Sequence, residues 1–338
     1  MSRFAPALRL LARQHLAISA SNRSSALLVT AARRKMHSSP VLQSPPLEPT
    51  TRPHLLAEFS MKDKVVVISG GGRGLGLVQA EALLEAGAVG KLHLPPQSTM
   101  HCAKQDASVH CIDRLPDPTS DPDSEFARVA KRAKEELNSS LSYHELDIRN
   151  VPELNKIFEG IADERGRLDG CLVAAGINYE TPALDYPPDE VDRMMSINVS
   201  GAFMTAQAAA RQMVRLKQPG SICMIASMSG TIANRGMFAP AYNASKAGVI
   251  QLARSLAAEW GQYGIRVNTL SPGYILTQML LNLFDDYPER KEQWPKENML
   301  QRFSIPKEYR GAAVFLLSDA SSFMTGSDLR IDGGHAAW

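Results

Sequence analysis

The chain contains few cysteines, and none of them stand at the short paired intervals of a disulfide framework or a zinc site. There are four cysteines among 338 residues, which excludes a small scaffold held together by disulfides. The histidines and cysteines nearest to one another also match no zinc pattern; they are His93, His101, Cys102, His110 and Cys111. We therefore expect no bound metal ion.

The sequence also lacks a long apolar run and an excess of one charge. No apolar stretch approaches the roughly 20 residues that a helix needs to cross a bilayer. The 37 basic and 35 acidic residues give a formal net charge of +2, which becomes −5 without the seven basic residues of the first 47 positions. With no basic excess, neither nucleic acid nor a membrane is an expected partner.

Acidic side chains are missing from the first 47 residues. Basic and apolar residues alternate there as in an amphipathic helix, and serine is frequent, which resembles a mitochondrial presequence. We predict a presequence over residues 1–36 and an extended, proline-containing linker over residues 37–58. The implied location is the mitochondrial matrix, or the cytoplasm if the segment is not a functional presequence.

One alternation of strand and helix patterns runs from about residue 62 to residue 334. The length would allow two domains, but the alternation has no break that separates them. It predicts an α/β fold: a single doubly wound Rossmann-type domain over residues 59–338, with a mostly parallel central sheet and helices on both faces.

A glycine-rich turn follows the first predicted strand. Lys64–Ile68 is an apolar run typical of a buried parallel strand, and Ser69–Gly76 follows it with the spacing Gly-x-x-x-Gly-x-Gly. A helical pattern, Leu77–Ala86, comes next. Without side chains at a helix N-terminus, backbone N–H groups can approach a pyrophosphate, whose charge the helix dipole favours. The turn therefore predicts an anion site.

Tyr242 and Lys246 are four residues apart in a segment, 242–260, whose apolar spacing predicts a helix. On a helix they project from one face, so the Lys charge is expected to lower the pKa of the phenol. Such a tyrosine is suited to proton transfer beside a carbonyl or an alcohol. Taken alone, the pair also fits an ordinary surface pair on an amphipathic helix.

In combination these segments resemble the short-chain dehydrogenase/reductase family, from about Phe59 to Trp338. The resemblance implies hydride transfer between a nicotinamide cofactor and a secondary carbon, with Tyr242 exchanging the proton on oxygen. It also implies that Ser227 hydrogen-bonds the substrate oxygen and that Lys246 binds ribose hydroxyls. Asn198 completes the implied catalytic set by holding a water that links Lys246 to solvent.

The resemblance also assigns contacts to the cofactor. Asp147 would contact the adenine and Thr277 the nicotinamide carboxamide. The full set is Ser69, Gly70, Arg73, Gly74, Leu75, Gly76, Asp113, Asp147, Ile148, Ala175, Gly176, Tyr242, Lys246, Pro272, Gly273, Ile275 and Thr277.

Two departures from the family pattern bear on the site. The usual Asn-Asn-Ala-Gly after the fourth strand is here Val173–Gly176, without the two asparagines. Ser227 lies fifteen positions before Tyr242, whereas many members use thirteen, which would select Ser229 instead. Alignment through Gly230 favours Ser227, and Ser229 stays open as the alternative.

The choice between NAD and NADP depends on the residue that ends the second strand, where an acid favours NAD. One candidate strand ends at Asp113, and the other, Val89–Leu94, ends without an acid. Gly76 and Asp113 are 37 positions apart rather than about 20, so Asp113 requires an inserted loop, which we place at residues 90–108. NAD is expected, and NADP is possible because Arg114 follows directly.

Within the family, the likeness is to fungal polyol and ketose enzymes of the D-arabinitol 2-dehydrogenase, sorbitol dehydrogenase and L-xylulose reductase group. Residues 225–232, 242–250 and 268–277 carry it. A polyol or ketose substrate and a homotetramer or homodimer are implied. The alternatives are a mitochondrial 3-oxoacyl-thioester reductase, for which Arg235 alone makes no basic patch, and a non-catalytic oligomer whose cofactor site is obstructed by the inserted loop.

The segment 278–298 stands where the family places a mobile substrate lid. Its apolar residues could close over a substrate, and a plain core helix explains their spacing equally well. Asn178, Asn234 and Phe238 are candidates for the pocket lining from their loop positions. The charged run 126–137 is expected to be a solvated crossover helix.

Overall fold

All strands of the computed structural model, which describes residues 56–87 and 107–338, belong to one parallel sheet. Their order is β3-β2-β1-β4-β5-β6-β7, so the direction of winding reverses between β1 and β4. At such a switch point, ligands bind beyond the carboxyl ends of the strands. The strands are β1 Lys64–Ser69, β2 Ala107–Asp113, β3 Ser140–Glu145, β4 Gly170–Val173, β5 Gly220–Ile225, β6 Ile265–Pro272 and β7 Asp328–Ile331.

Helices cover both faces of the sheet. Many begin with residues suited to a helix start, such as Ser124, whose hydroxyl accepts from the Ala127 N–H at the start of α2. The helices are α1 Gly74–Gly87, α2 Glu125–Glu136, α3 Val151–Arg165, α4 Pro188–Met195, α5 Ala202–Arg215, α6 Pro240–Trp260, α7 Gln278–Asp286, α8 Arg290–Gln293 and α9 Arg310–Leu317, with a π-helical stretch Ser196–Gly201 between α4 and α5.

The core consists of two apolar layers, one on each face of the sheet. Val65 and Val67 of β1 pack with α3, α5 and α6 on one face, whereas Val66 and Ile68 pack with α1, α2 and α9 on the other. Strands buried on both faces read as continuous apolar runs in the sequence. The prediction of a doubly wound α/β fold is therefore confirmed.

Cysteines in the described ranges serve as small apolar core residues. Cys111, Cys171 and Cys223 are free and fully buried on strands. Burial raises the pKa of each thiol, so their reactive thiolate form is suppressed.

Most predicted elements are present, with shifted ends. The first helix begins at Gly74 rather than Leu77, and α6 begins at Pro240 rather than Tyr242. The strand predicted at 265–268 continues to Pro272 because its last residues still pair with β7. Within the described ranges, no helix is both long and apolar enough to cross a membrane.

The N-terminal predictions fall largely outside the described residues. This applies to the presequence over 1–36 and to the linker over 37–58 except for its last residues. Ala57–Phe59 forms a single 3-10 turn, and the Phe59 ring lies 6.2 Å from that of Phe315 in α9. The chain is thus already attached to the domain at the predicted boundary.

The second strand is the one that ends in Asp113. β2 pairs in parallel with β1 and β3, while the competing Val89–Leu94 lies outside the described residues. The predicted loop over 90–108 is too long at its C-terminal end, because Ala107 and Ser108 belong to β2 and pair with Lys64 and Val65. Alanine and serine gave no strand signal, which explains the error.

Deletion of residues 90–106 should leave the domain folded. A Cβ atom built on Gly87 would lie only 2.5 Å from the Cβ of Ala107. The remaining residues 88 and 89 provide three Cα–Cα steps, about 11 Å at most, which is ample for this gap. We expect soluble protein whose melting temperature equals or exceeds that of the full chain.

The control is deletion of residues 90–108. It removes the two residues that pair with Lys64 and Val65, so its melting temperature should be lower by several degrees. Loss of soluble protein in the shorter deletion would contradict the expectation.

Candidate active site

Ser227 and Tyr242 meet at the carboxyl end of β5. Ser227 follows the strand with an extended backbone and starts the 3-10 turn Met228–Gly230. This turn packs directly on α6: a Cβ on Gly230 would lie 2.8 Å from the backbone carbonyl carbon of Lys246. The close approach brings the Ser227 hydroxyl beside the Tyr242 phenol, where it acts to lower the pKa of the phenol.

The two candidate serines have different partners. The Ser229 hydroxyl accepts a hydrogen bond from Nδ2 of Asn234 at 2.6 Å, and its backbone N–H donates to the Ser227 hydroxyl at 3.2 Å. Of the two, Ser227 is the one that contacts the phenol, and this geometry favours it as the substrate-facing residue.

Lys246 is buried one helical turn beyond Tyr242. Its ammonium group donates to the Ile225 carbonyl oxygen at 2.8 Å and lies 5.7 Å from the centre of the Tyr242 ring. Burial lowers the pKa of Lys246 to about 8. The side chain therefore loses its charge as the pH rises through about 8.

The prediction that Lys246 lowers the pKa of Tyr242 is wrong. Burial raises the pKa of the phenol, and the hydrogen bond with Ser227 only opposes that rise. Desolvation penalises the phenolate, and the Lys246 ammonium is engaged with Ile225. The phenol is therefore protonated at neutral pH.

Asn198 connects the segment after β4 with α6. Its Oδ1 accepts from the Ile177 N–H at 2.9 Å, and its Nδ2 donates to the Ile177 carbonyl at 2.9 Å and to the Ser245 hydroxyl at 3.0 Å. It lies in the π-helical stretch, a feature frequent at functional sites. The amide thus has a positioning role, and the water-holding role stays a prediction.

Gly176 lies between Asn198 and Lys246. A Cβ at this position would be 3.3 Å from Asn198 Oδ1 and 3.5 Å from Lys246 Nζ. The position is thus close to both side chains, and a methyl group there would crowd them.

The glycine-rich turn has the shape of a phosphate cradle. Gly70 and Gly74 have φ angles of 71° and 56°, and a Cβ on Gly70 would lie 2.7 Å from the Ala175 nitrogen. Arg73, Leu75 and Gly76 complete the turn at the start of α1. Ser69 is fully buried, and its hydroxyl accepts from the Ala175 N–H at 3.4 Å; it holds the two loops together rather than facing outward.

Charged residues surround the end of β2. Asp113 Oδ2 accepts from the Gly72 N–H at 3.1 Å, and exposed Arg114 follows it. Asp147 is paired with Arg149 through Nη2 and Oδ2 at 2.6 Å. This hydrogen bond lowers the pKa of Asp147. Ile148 is buried next to it and leaves room only for glycine at position 201.

The segment after β6 is packed against the C-terminal tail. The Gly273 N–H donates to the Ile331 carbonyl at 2.9 Å, and a Cβ on Gly273 would lie 2.8 Å from the Asp332 Cα. Ile275 forms a bridge with Ser304. Thr277 accepts from the Leu280 N–H at 3.4 Å and caps α7, so its hydroxyl hydrogen is free to donate.

A family model described as enoyl-(acyl carrier protein) reductase matches residues 99–336. A short-chain dehydrogenase/reductase of Aspergillus versicolor, notP', is 37% identical over 285 residues, which cover 83% of this chain and 89% of that protein.

The chain belongs to the short-chain dehydrogenase/reductase family. It is an oxidoreductase that acts on CH–OH groups with NAD or NADP. A ribulose-forming D-arabinitol 2-dehydrogenase of Candida tropicalis is 36% identical over 289 residues, covering 84% of this chain and 96% of the relative. A solved gluconate 5-dehydrogenase of Burkholderia cenocepacia, in complex with NADP and tartrate, has a TM-score of 0.69 at 28% identity, covering 83% of this chain and 98% of the other.

The predicted lid, segment 278–298, contains a small apolar core of its own. Leu280, Phe284 and Trp294 are buried together, whereas Leu281 is 45% exposed and takes no part. The Trp294 ring stacks on Tyr274 at 4.1 Å and 9°. These apolar residues therefore form a core, as the alternative of a plain core helix predicted, and closure over a substrate stays a prediction.

The pocket candidates have different environments. Asn234 is buried, Asn178 is half-buried, and Phe238 is 60% exposed. The Oδ1 atoms of both asparagines have no hydrogen-bond partner. Among the residues that the structure describes, no three His, Cys, Asp or Glu side chains form a metal-binding group.

One pair near the lid was absent from the sequence predictions. Glu180 and Arg290 form a buried ion pair between residues 110 positions apart. No periodicity or motif links positions so distant, so the sequence contained no signal for it.

Ser227 and Ser229 can be distinguished by single substitutions. Ser227→Ala should lower kcat by about 10²-fold or more, because it removes a donor to the reacting oxygen. Ser229→Ala should lower stability by about 1–2 kcal/mol, because Asn234 loses its partner, but should lower kcat less than tenfold. Steady-state kinetics and urea unfolding of both variants check this, and the reverse pattern would select Ser229.

Lys246→Met should stabilise the protein while it removes activity. Because burial lowers the folded-state pKa to about 8 from 10.5, the unfolded chain binds more protons between these values. Wild-type stability should therefore rise with pH across this window. At pH 7 the free energy of unfolding of the variant should exceed that of the wild type by on the order of 2 kcal/mol. This is the desolvation penalty that the variant avoids, minus the contribution of the hydrogen bond that it loses.

Unfolding at pH 7 and pH 10.5 measures this difference. The advantage of Lys246→Met should shrink at the higher pH, whereas the exposed Lys134→Met on α2 should show no such advantage. A destabilised Lys246→Met at pH 7 would refute the expectation.

Proposed function

We propose that the protein is an NAD-dependent polyol dehydrogenase that interconverts a secondary alcohol of a polyol and the ketone of a ketose, in the manner of a D-arabinitol 2-dehydrogenase. The observation that carries the proposal is the placement of Ser227 beside Tyr242 and buried Lys246, at the carboxyl end of the sheet where the strand order reverses. The similarity to the D-arabinitol enzyme over 84% of the chain supports the substrate class.

The glycine cradle fits a dinucleotide. Backbone N–H groups of residues 70–76 would hold its pyrophosphate, Asp113 its adenosine ribose, and Thr277 its carboxamide. The nicotinamide supplies or accepts the hydride when it is bound. We assign NAD because Asp113 ends β2, where a carboxylate repels a 2′-phosphate.

The residues of the chain manage the proton. In the reducing direction, the Tyr242 phenol donates its proton to the substrate oxygen, which Ser227 orients by a hydrogen bond. Because burial raises the pKa of Tyr242, the acid form prevails at neutral pH. Oxidation requires the phenolate and should therefore accelerate with rising pH.

Arg235 bears on the thioester-reductase alternative. It is exposed, and its charge opposes the rise that burial produces in the pKa of Glu297. A single exposed guanidinium that also faces a carboxylate of the chain is not the basic patch that would bind the phosphate of an acyl carrier. That the enzyme is a homotetramer or homodimer stays a prediction from the family resemblance.

The test is the rate of NADH formation with D-arabinitol, sorbitol, xylitol and mannitol, repeated with NADP. We expect turnover of at least one polyol with NAD, and a loss of about 10³-fold or more in Tyr242→Phe, which removes the exchangeable proton. Tyr263→Phe, at a tyrosine that is 49% exposed, is the matched control and should retain full activity.

Three results would contradict parts of the proposal. Turnover only with NADP would overturn the role of Asp113. Full activity of Tyr242→Phe would overturn the assigned acid. Absence of turnover on every polyol, with the cofactor still bound, would favour the thioester reductase.

A further inference from the structure

A buried ion pair lies where the lid meets the segment after β4. Arg290 at the start of α8 donates to both Glu180 carboxylate oxygens, from Nη1 to Oε2 at 2.8 Å and from Nη2 to Oε1 at 2.6 Å. The Arg290 and Glu180 side chains are 7% and 9% exposed. This is a bidentate pair that is almost withdrawn from water.

Both charges are further compensated by the protein. Arg290 Nη2 also donates to the Gly236 carbonyl at 3.0 Å, and the Phe238 N–H donates to Glu180 Oε1 at 3.3 Å. The guanidinium lies over the ring of Tyr287 at 3.9 Å and near that of Trp294 at 4.9 Å. Such contacts offset the desolvation that otherwise makes buried pairs costly.

The pair lies on the substrate side of the sheet. Glu180 follows β4, Gly236 and Phe238 follow β5 in the loop that leads to Tyr242, and Arg290 belongs to the lid after β6. The pair is also connected to the turn after β6, because Trp294 stacks on Tyr274, the residue directly after Gly273. The pair therefore joins three segments that stand beyond the carboxyl ends of β4, β5 and β6.

The pair determines which charge a substrate can carry there. If the carboxylate of a sugar acid reached Arg290, both terminal nitrogens of the guanidinium would already be bound to Glu180. The substrate carboxylate would then lie next to the carboxylate of Glu180. Placing an unpaired anion in such an environment is unfavourable. A polyol or ketose brings no charge and avoids this cost.

We propose that the Glu180–Arg290 pair makes the pocket selective for uncharged polyols and ketoses over sugar acids of the same carbon skeleton. Glu180 engages both terminal nitrogens of Arg290, the donors with which a guanidinium binds a carboxylate in bidentate fashion. This inference rests on the proposed function, since it specifies the substrate class of that same site.

The experiment compares sorbitol with gluconate, which share six carbons and differ in one terminal carboxylate. Binding to the enzyme saturated with NADH, or with NADPH if that is the cofactor bound, is measured by calorimetry, because neither ligand is reduced in this complex. In the wild type, gluconate should bind more weakly than sorbitol. In Glu180→Gln, which keeps the shape and frees the Arg290 charge, the ratio of gluconate to sorbitol affinity should rise at least tenfold.

Two further variants assign the effect to charge. Glu180→Gln combined with Arg290→Met removes the freed cation and should abolish the gain in the ratio. Glu308→Gln breaks the comparable bidentate pair with Arg302, whose Nη1–Oε2 distance is 2.8 Å, and should leave the ratio at the wild-type value.

The proposal is overturned if the ratio in Glu180→Gln stays within twofold of the wild type while the melting temperature and NADH binding are retained. It is also overturned if wild-type enzyme binds gluconate as tightly as sorbitol. Should Glu180→Gln fail to fold, Glu180→Ala is the second variant. The proposal then requires that gluconate raise the melting temperature of Glu180→Ala more than sorbitol does. Since binding is measured without turnover, failure to oxidise any polyol counts against the proposed function and not against the charge selectivity.

Discussion

The hydrogen bond from the Lys246 ammonium to the Ile225 carbonyl joins α6 to the end of β5, and the catalytic geometry depends on it. Together with the close approach of Gly230 to the backbone of α6, it fixes where Ser227 stands relative to Tyr242. Asn198 adds a third connection, from the segment after β4 to Ser245. The site is thus built where two strand ends and one helix are bound to one another, and strand ends are more rigid supports than free loops.

This construction places polar groups where they are costly. The ammonium of Lys246 is buried without a carboxylate partner, and several amide and hydroxyl atoms around the pocket, such as Asn234 Oδ1 and Tyr274 Oη, have no hydrogen-bond partner. Buried groups of this kind lower the stability of a fold. Their concentration on the substrate side is consistent with a site that gives up stability for function.

The fold could be predicted, and a catalytic set could be proposed, because their signals are local. Buried parallel strands read as apolar runs, and the glycine turn and the Tyr242–Lys246 spacing are short patterns. The direction in which the Tyr242 pKa shifts could not be predicted, because the burial that causes the shift arises only in the folded site. Ser227 and Ser229 lie in one turn, and the sequence does not show that Ser227 faces Tyr242 whereas Ser229 binds Asn234. The start of β2 was misplaced because Ala107 and Ser108 are strand residues through pairing rather than through their side chains.

The packing of the C-terminal tail against Gly273 and Tyr274 has a consequence for the order of synthesis. The His335 ring meets the Tyr274 ring edge-on at 5.4 Å, and β7 covers the otherwise open edge of β6. In a nascent chain from which residues 327–338 have not yet emerged, the edge of β6 is unpaired and the turn at Gly273 and Tyr274 has no packing partner. The substrate side of the enzyme can be completed only after residues 327–338 have left the ribosome.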